Sequence, residues 1–485
     1  MATPTIIDTI LDPHLFAPWF KEPNSWCAWR AFLCALFGLS MSKEALTIYQ
    51  RHTGRIELPA KPFNEAWLVV GRRGGKCFIT ALVAVYLACF FDYRKYLSPG
   101  ERGAVMVLAS DRKQSRVIIG YVKALLKQVP MLDRLVIRST SEGIDLNNNI
   151  TIEVQTAAFR SVRGYTVVCA LLDEIAFWRN EESANPDAEI VNALRPAMAT
   201  IPNSLLIGLS SPYAKRGVLF EAYREHYGQE SDVLVWQADT KSMNPNVPHS
   251  IIDRAYKRDS VSASSEYGAV FRNDVETFID FDAVEATVVT GVLELPYLSS
   301  NRYMGFVDPS GGSRDSFTLA IAHNENGIAV LDCIIERKPP FSPEAVVKEF
   351  SSILRRYHIN TVHGDRYGGF FPRELFNKES INYKVSELTR SDLYLELLPA
   401  LMCGKIQLLD NRKLINQICL LERRTARSGK DSVDHPPGAH DDIANSAAGA
   451  LYLAKKQPKK VICEAFNQFD ILDNLYLTNG LSYDV

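Results

Sequence analysis

The sequence has no surplus of either charge. Against 56 Asp and Glu stand 54 Lys and Arg, a formal net charge of −2, which excludes a histone-like nucleic-acid coat and makes any basic surface local. No C-x-x-C pair occurs among the nine cysteines, which are scattered from Cys27 to Cys463. That argues against a zinc ribbon or a disulfide framework and fits a reducing compartment, the cytosol. Long hydrophobic runs are also missing. The most apolar stretch, Cys77 to Phe91, reaches only about three-quarters of the ~20 residues that span a bilayer, and reads as a buried helix. The N-terminal MATPTIIDTILDPH has no positive segment ahead of an apolar run, so it does not read as a signal peptide. No repeat or low-complexity tract is visible. What is present is an ordinary folded composition, 47% hydrophobic and 23% charged over 485 residues. That length exceeds the ~250–300 residues at which one core stops growing, so two domains are expected.

The pattern along the chain supports two α/β domains. From Glu65 to about Trp236, short apolar runs (AWLVV, AVMVLAS, TIEVQT, VVCALLDE, SLLIGLSS) alternate with longer amphipathic ones, the signature of a parallel sheet wrapped by helices. Residues 1–60 read as a helical cover, with Trp26, Trp29 and Phe32 at helical spacing, completing a first domain over 1–243. Residues 244–300 turn polar and irregular and read as a connector. A second domain over 301–460 begins with three antiparallel strands, RYMGFVD, FTLAIAH and GIAVLDCIIER, the last two joined at an Asn-Glu-Asn-Gly turn. Helices and the strands TVHGD, YKVSEL and KIQLLD follow. Residues 461–485 lack a core-like period and read as a docking tail.

The first candidate site is VGRRGGKCF. Gly71, Gly74 and Gly75 allow backbone N–H groups to face phosphates at a helix N-terminus, and Lys76 supplies a point charge for the β and γ oxygens. Arg72 and Arg73 lie inside the same turn, and Arg163 or Arg195 are further candidates to neutralise a γ-phosphate. The turn departs from G-x-x-x-x-G-K-[ST] at Val70 and at Cys77, whose thiol is a poor ligand for magnesium; either water or Thr80 then serves the metal. VVCALLDE ends a buried run on two carboxylates. In P-loop ATPases an Asp in the place of Asp173 holds magnesium, and the next Glu, here Glu174, orients and deprotonates the attacking water. The bland reading is a helix cap. Ser210 and Ser211 close a third apolar strand at the end where open α/β sheets bind ligands.

The second constellation is acidic. Asp308, Asp365 and the pair Asp441–Asp442 fall at strand ends and a helix start that a ribonuclease H-type fold brings together, and two divalent ions for phosphodiester cleavage need such carboxylates. Each acid alone suits a turn or a cap. His440 beside the pair is a candidate ligand or proton carrier. Arg423, Arg424, Arg427 and Lys430, in RRTARSGK just ahead of the pair, suit contact with a DNA backbone; a solvated charge run is the alternative.

Taken together, GRRGGK, LLDE and LSSP, then FVDPSGG, HGDRYGG and HDDIANSAAGALYLA, resemble the large terminase subunit of tailed bacteriophages across roughly residues 60–455. The resemblance implies a P-loop ATPase of the additional-strand type joined to a ribonuclease H-like nuclease. It also implies ATP and Mg2+ as cofactors, with Mn2+ a substitute in the nuclease site, and Ser210 with Ser211 coupling hydrolysis to motion. The implied partners are double-stranded DNA, the small terminase subunit and the portal protein of the procapsid, with no membrane. The chain would be a monomer in solution, a ring on the portal, and at work in the bacterial host cytoplasm. Asn445 departs from the pattern, standing where an acid often follows the Asp pair. Two rivals remain. A cellular helicase or recombination ATPase with a fused nuclease needs a second RecA-like lobe, whereas this second half is hairpin-first. A catalytically degenerate structural subunit leaves the presence of Lys76, Asp173, Glu174 and the nuclease acids to be explained.

Overall fold

The computed structural model describes residues 3–457 except 111, 158–161, 163, 179–185, 314, 366–370, 426–430 and 437. Arg163, Arg427, Lys430 and the tail from Val461 therefore lie outside the described residues. The chain divides into two units, Met1–Val284 with Arg412–Asp441, and Glu285–Asn411 with Asp442–Val485. This differs from the expected boundaries: the polar connector is shared between the units, and a segment expected in the second domain packs with the first.

The first unit is built on strands β1 (Glu65–Val70), β2 (Gly103–Ala109), β3 (Val136–Ser139), β4 (Gly143–Leu146), β5 (Ile150–Thr156), β6 (Thr166–Asp173), β7 (Leu205–Ser210) and β8 (Val233–Ala238). They form one sheet in the order β3-β4-β5-β2-β6-β7-β1-β8. From β5 to β8 all pairings are parallel, and β3 and β4 add an antiparallel edge. The runs EAWLVV, GAVMVLA and LLIGLS are apolar at nearly every position because helices cover both faces of their strands, so there is no solvent side for polar residues to occupy. β7 lies between β1, which feeds the glycine turn, and β6, which ends on Asp173. This is the additional strand that the resemblance implies. The helix Lys76–Phe90 is apolar almost all round for a related reason. The N-terminal helices Ile6–Leu11 and Cys27–Leu36 pack in one core with it, so it too is sheathed by protein. Among the described residues no helix is long and apolar enough to cross a membrane. After β8 come short helices and β9 (Val275–Thr277).

The second unit carries β10 (Val288–Val289), β11 (Tyr303–Asp308), β12 (Phe317–Glu325), β13 (Ile328–Arg337), β14 (Thr361–Gly364), β15 (Asn382–Val385) and β16 (Ile406–Leu409), in the order β10-β16-β13-β12-β11-β14-β15. β11, β12 and β13 form the expected antiparallel meander, and β14 and β15 continue parallel to β11. This is the ribonuclease H-like strand order. The helix Asp442–Lys455 lies on β11, β12 and β13. Its run of Ala and Gly permits the close approach: a Cβ on Gly449 would stand 2.3 Å from the ring of Phe306.

Strands β17 (Glu422–Thr425) and β18 (Asp431–Asp434) belong to the first unit, pairing with β9 in the order β18-β17-β9. The basic segment RRTARSGK thus begins as a strand. Glu422, fully buried, accepts hydrogen bonds from Tyr213 (2.9 Å), Arg216 (2.6 Å) and Arg424 (3.2 Å).

Candidate functional site

The glycine turn of the first unit is assembled by contacts distant in sequence. β1 delivers Val70 into the turn, and the turn enters the helix at Lys76 through Gly75 in a left-handed conformation, φ 95°. Only glycine takes that backbone without strain. Gly71 cannot carry a Cβ, which would fall 2.4 Å from Thr240 Oγ1. The turn's carbonyls are held from outside: Trp29 Nε1 donates to Gly74 O (2.8 Å), Thr240 Oγ1 to Arg72 O (2.7 Å) and Asn244 Nδ2 to Arg73 O (2.8 Å). The turn's amides at Gly71, Arg72 and Gly74 donate to the carbonyls of Ala238, Glu266 and Gly71, and the holds on its own carbonyls come from Trp29, Thr240 and Asn244. Sequence reading missed these three residues in this role. Trp29 lies 45 residues from its acceptor, and its only visible signal was helical spacing with Phe32.

Lys76 is buried and donates to Val70 O (2.9 Å), while its Nζ stands 3.5 Å from Glu174 Oε1. Glu174 sits just past β6 in a left-handed conformation, φ 51°. A non-glycine residue rarely adopts it, and such strain gathers at functional sites. Glu174 Oε2 accepts from Ser210 Oγ (3.0 Å), Ser211 N (3.4 Å) and Ser211 Oγ (3.5 Å). The ends of β1, β6 and β7 therefore converge on this one carboxylate. Asp173 is buried beside it. Desolvation, and then the Glu174 charge, push its carboxyl up to about 7 against the attraction of Lys76. Its Oδ1 has no hydrogen-bond partner among the described residues. A buried carboxylate oxygen without a donor is costly, and a divalent cation beside Asp173 would relieve it, so the residues present fit magnesium.

Burial, then Asp173, pushes the Cys77 thiol up to about 12, leaving it a neutral thiol where a hydroxyl is usual. Thr80 Oγ1 donates to Lys76 O (2.9 Å), turned back into its own helix. Arg72 pairs with Glu266 (3.0 Å), and Arg73 takes a left-handed φ of 63°. Arg195 is corrected: it pairs with Glu65, the first residue of β1, at the opposite end of that strand from the glycine turn.

In the second unit β11 ends on Asp308 and β14 runs into Asp365, and the parallel pairing of β11 with β14 sets the two acids side by side. The helix Asp442–Lys455 places Asn445, fully buried, over them. Its Nδ2 donates to Asp308 Oδ2 (2.9 Å) and to Asp365 Oδ2 (2.8 Å). Tyr383 Oη on β15 donates to Asp365 O (2.8 Å), and the two carboxylates, after burial, raise the Tyr383 hydroxyl. Among the described residues no group of three or more His, Cys, Asp or Glu is arranged to hold a metal ion. Among the described residues, what joins Asp308 and Asp365 is the amide of Asn445, a role that sequence reading noted only as a departure. Asp442 opens the helix one turn before Asn445, and its carbonyl accepts from Thr318 (2.7 Å). Asp441 closes the first unit and is buried, 3.8 Å from His435 Nε2. Of the proposed DNA contacts, Arg423 pairs with Asp431 (Nε to Oδ2, 2.8 Å) and Arg424 with Glu422.

Residues 40–269 match a family model described as the N-terminal P-loop domain of the uncharacterized protein MJ0330. No curated protein matches the chain. Among solved structures, the HK97 bacteriophage large terminase is 15% identical, with 80% of this chain and 91% of that chain covered and a TM-score of 0.36. The large terminase of a thermophilic bacteriophage, in complex with ADP, is 13% identical, covering 81% and 94%, with a TM-score of 0.37. The large terminase nuclease of the thermophilic phage G20c with bound magnesium is 16% identical, covering 36% of this chain and 95% of that one, with a TM-score of 0.30. Residues 40–269 are thus similar to a P-loop domain, and the solved structures named here are large terminases of bacteriophages.

Proposed function

We propose that this chain is the motor and nuclease subunit of a viral DNA-packaging machine, an ATPase that drives double-stranded DNA into a procapsid and a metal-dependent endonuclease that cuts it. The observation that carries the ATPase reading is the convergence on Glu174, a strained carboxylate that touches both the phosphate-binding Lys76 and the serines ending the additional strand. Incoming phosphate draws Lys76 Nζ away from Glu174, leaving Oε1 to accept a proton from the attacking water. Ser210 and Ser211 feel that change through Oε2 and pass it along β7, which makes them the coupling residues. Asp173 holds magnesium, whose chemistry is to neutralise charge on the β and γ oxygens.

The nuclease reading rests on Asp308 and Asp365 at adjacent strand ends. They hold divalent cation between them. Metal bound by these acids would supply an activated water and stabilisation of the leaving oxygen; the protein's part is to fix two acids at a spacing that like charges would otherwise resist. The partners in this reading are duplex DNA, a small terminase subunit and a portal, with Arg423, Arg424, Arg427 and Lys430 on the DNA backbone and the bacterial cytoplasm as the place of work. Glu174→Gln tests the motor: nucleotide binding should persist and ATP turnover fall at least ~100-fold, since the amide keeps the shape and loses the base. Turnover within a few-fold of wild type would make Glu174 a structural cap.

A further inference from the structure

Asn445 is an uncharged member of the acidic site in the second unit, and its two ends are treated unequally. Its NH2 group bridges Asp308 Oδ2 at 2.9 Å and Asp365 Oδ2 at 2.8 Å. Its Oδ1, on the same planar amide, is buried and has no hydrogen-bond partner among the described residues. Both neighbours are acceptors, so this orientation follows from the chemistry: only the NH2 can face two carboxylates. The stranded oxygen is the cost of that arrangement, because a buried carbonyl left without a donor is unfavourable. Rotation by a half turn about the last side-chain bond exchanges the two ends. It would face the oxygen toward the acids, which is unfavourable until a cation lies among them and favourable afterwards, since an amide oxygen is a normal ligand of hard divalent ions.

We propose that Asn445 is a two-position residue of the metal site: with the site empty its NH2 clamps Asp308 and Asp365 together, and with a divalent cation present the amide turns over and Oδ1 joins the two carboxylates as a ligand. This rests on the nuclease reading given above and deepens it. Two properties follow. The acids stay paired without metal, because two charge-assisted hydrogen bonds offset their repulsion. The site also binds metal more weakly than three carboxylates would, because one ligand is neutral and its existing hydrogen bonds must be given up first. Loading therefore becomes sensitive to the ambient concentration of divalent ion.

The test uses the full chain, free of nucleotide and stripped with chelator. It measures Mn2+ binding by calorimetry and electron spin resonance, and thermal unfolding with and without Mn2+. Asn445→Asp should bind Mn2+ at least ~10-fold more tightly, melt below wild type in chelator, and regain that loss when Mn2+ is added. Asn445→Ala, which removes both ends without adding charge, should bind Mn2+ several-fold more weakly and also melt lower in chelator. If Asn445→Asp fails to fold without metal, the Asn445→Ala titration decides alone. Mn2+ affinity within twofold of wild type in the folded variants would overturn the proposal and leave Asn445 a packing residue. Asp308→Asn separates the two levels. If it eliminates a Mn2+ binding step while the Asn445 variants leave that step unchanged, only the role of Asn445 fails; if it binds Mn2+ as wild type does, the nuclease reading itself fails.

Discussion

Cys77 and Asp173 show how a residue's neighbours determine its chemistry. Burial keeps the Cys77 thiol protonated, and a neutral thiol is a poor partner for magnesium. Cys77→Ser should therefore tighten Mg-ATP binding or raise the hydrolysis rate several-fold, measured by steady-state ATPase titration against magnesium. Lower activity in that variant would show that the thiol serves as a small apolar group. Asp173 makes a prediction in pH. Its carboxyl is raised from 3.8 to about 7 in the fold, so between those values the native state holds a proton that the unfolded chain has released. Stability from this group is thus lost as pH rises from about 4 to 7, and the penalty is complete above 7. Metal-free Asp173→Asn should unfold at higher urea than wild type at pH 8 and show a smaller difference at pH 4.5. An equal gain at both pH values would contradict the raised carboxyl.

Among the elements, the helix Asp442–Lys455 positions the second site, and its close approach to β11 depends on Gly449. A Cβ there would meet the Phe306 ring at 2.3 Å, and an aromatic ring locked in a core cannot move aside. Gly449→Ala should destabilise the protein by about 1–3 kcal/mol in urea unfolding, despite the ~1 kcal/mol that alanine gains in helix propensity. Combining it with Phe306→Leu should recover part of the loss. Stabilisation by Gly449→Ala alone would mean that the helix stands farther off. This helix also shows how far sequence reading extends. The runs VVCALLDE, RYMGFVD and HDDIANSAAGALYLA revealed the elements, since burial on every face leaves an apolar signature and a carboxylate ending such a run is conspicuous. The amide bridge from Asn445 was not legible, because it depends on the pairing of β11 with β14. The carbonyl holds on the glycine turn by Trp29, Thr240 and Asn244 were hidden because each spans 45 residues or more of sequence. Arg195 misled because an arginine looks alike at either end of a strand.

At the scale of the whole chain, the two sites stand in separate units, each with its own sheet. The division was visible as two successive α/β patterns, but its boundaries were not. Residues 412–441 interrupt the second pattern and pair with β9 of the first unit, and long-range strand pairing leaves no local mark. Separate sites imply separable activities. The most direct test measures ATP turnover and plasmid cutting in Mn2+ on the same preparations of wild type, Glu174→Gln and Asp308→Asn. Asp308→Asn should keep ATP turnover within about twofold of wild type and lose cutting, and Glu174→Gln should lose turnover while still cutting. Asp308→Asn that digests plasmid at the wild-type rate, or wild-type protein that neither hydrolyses ATP nor cuts DNA, would contradict it.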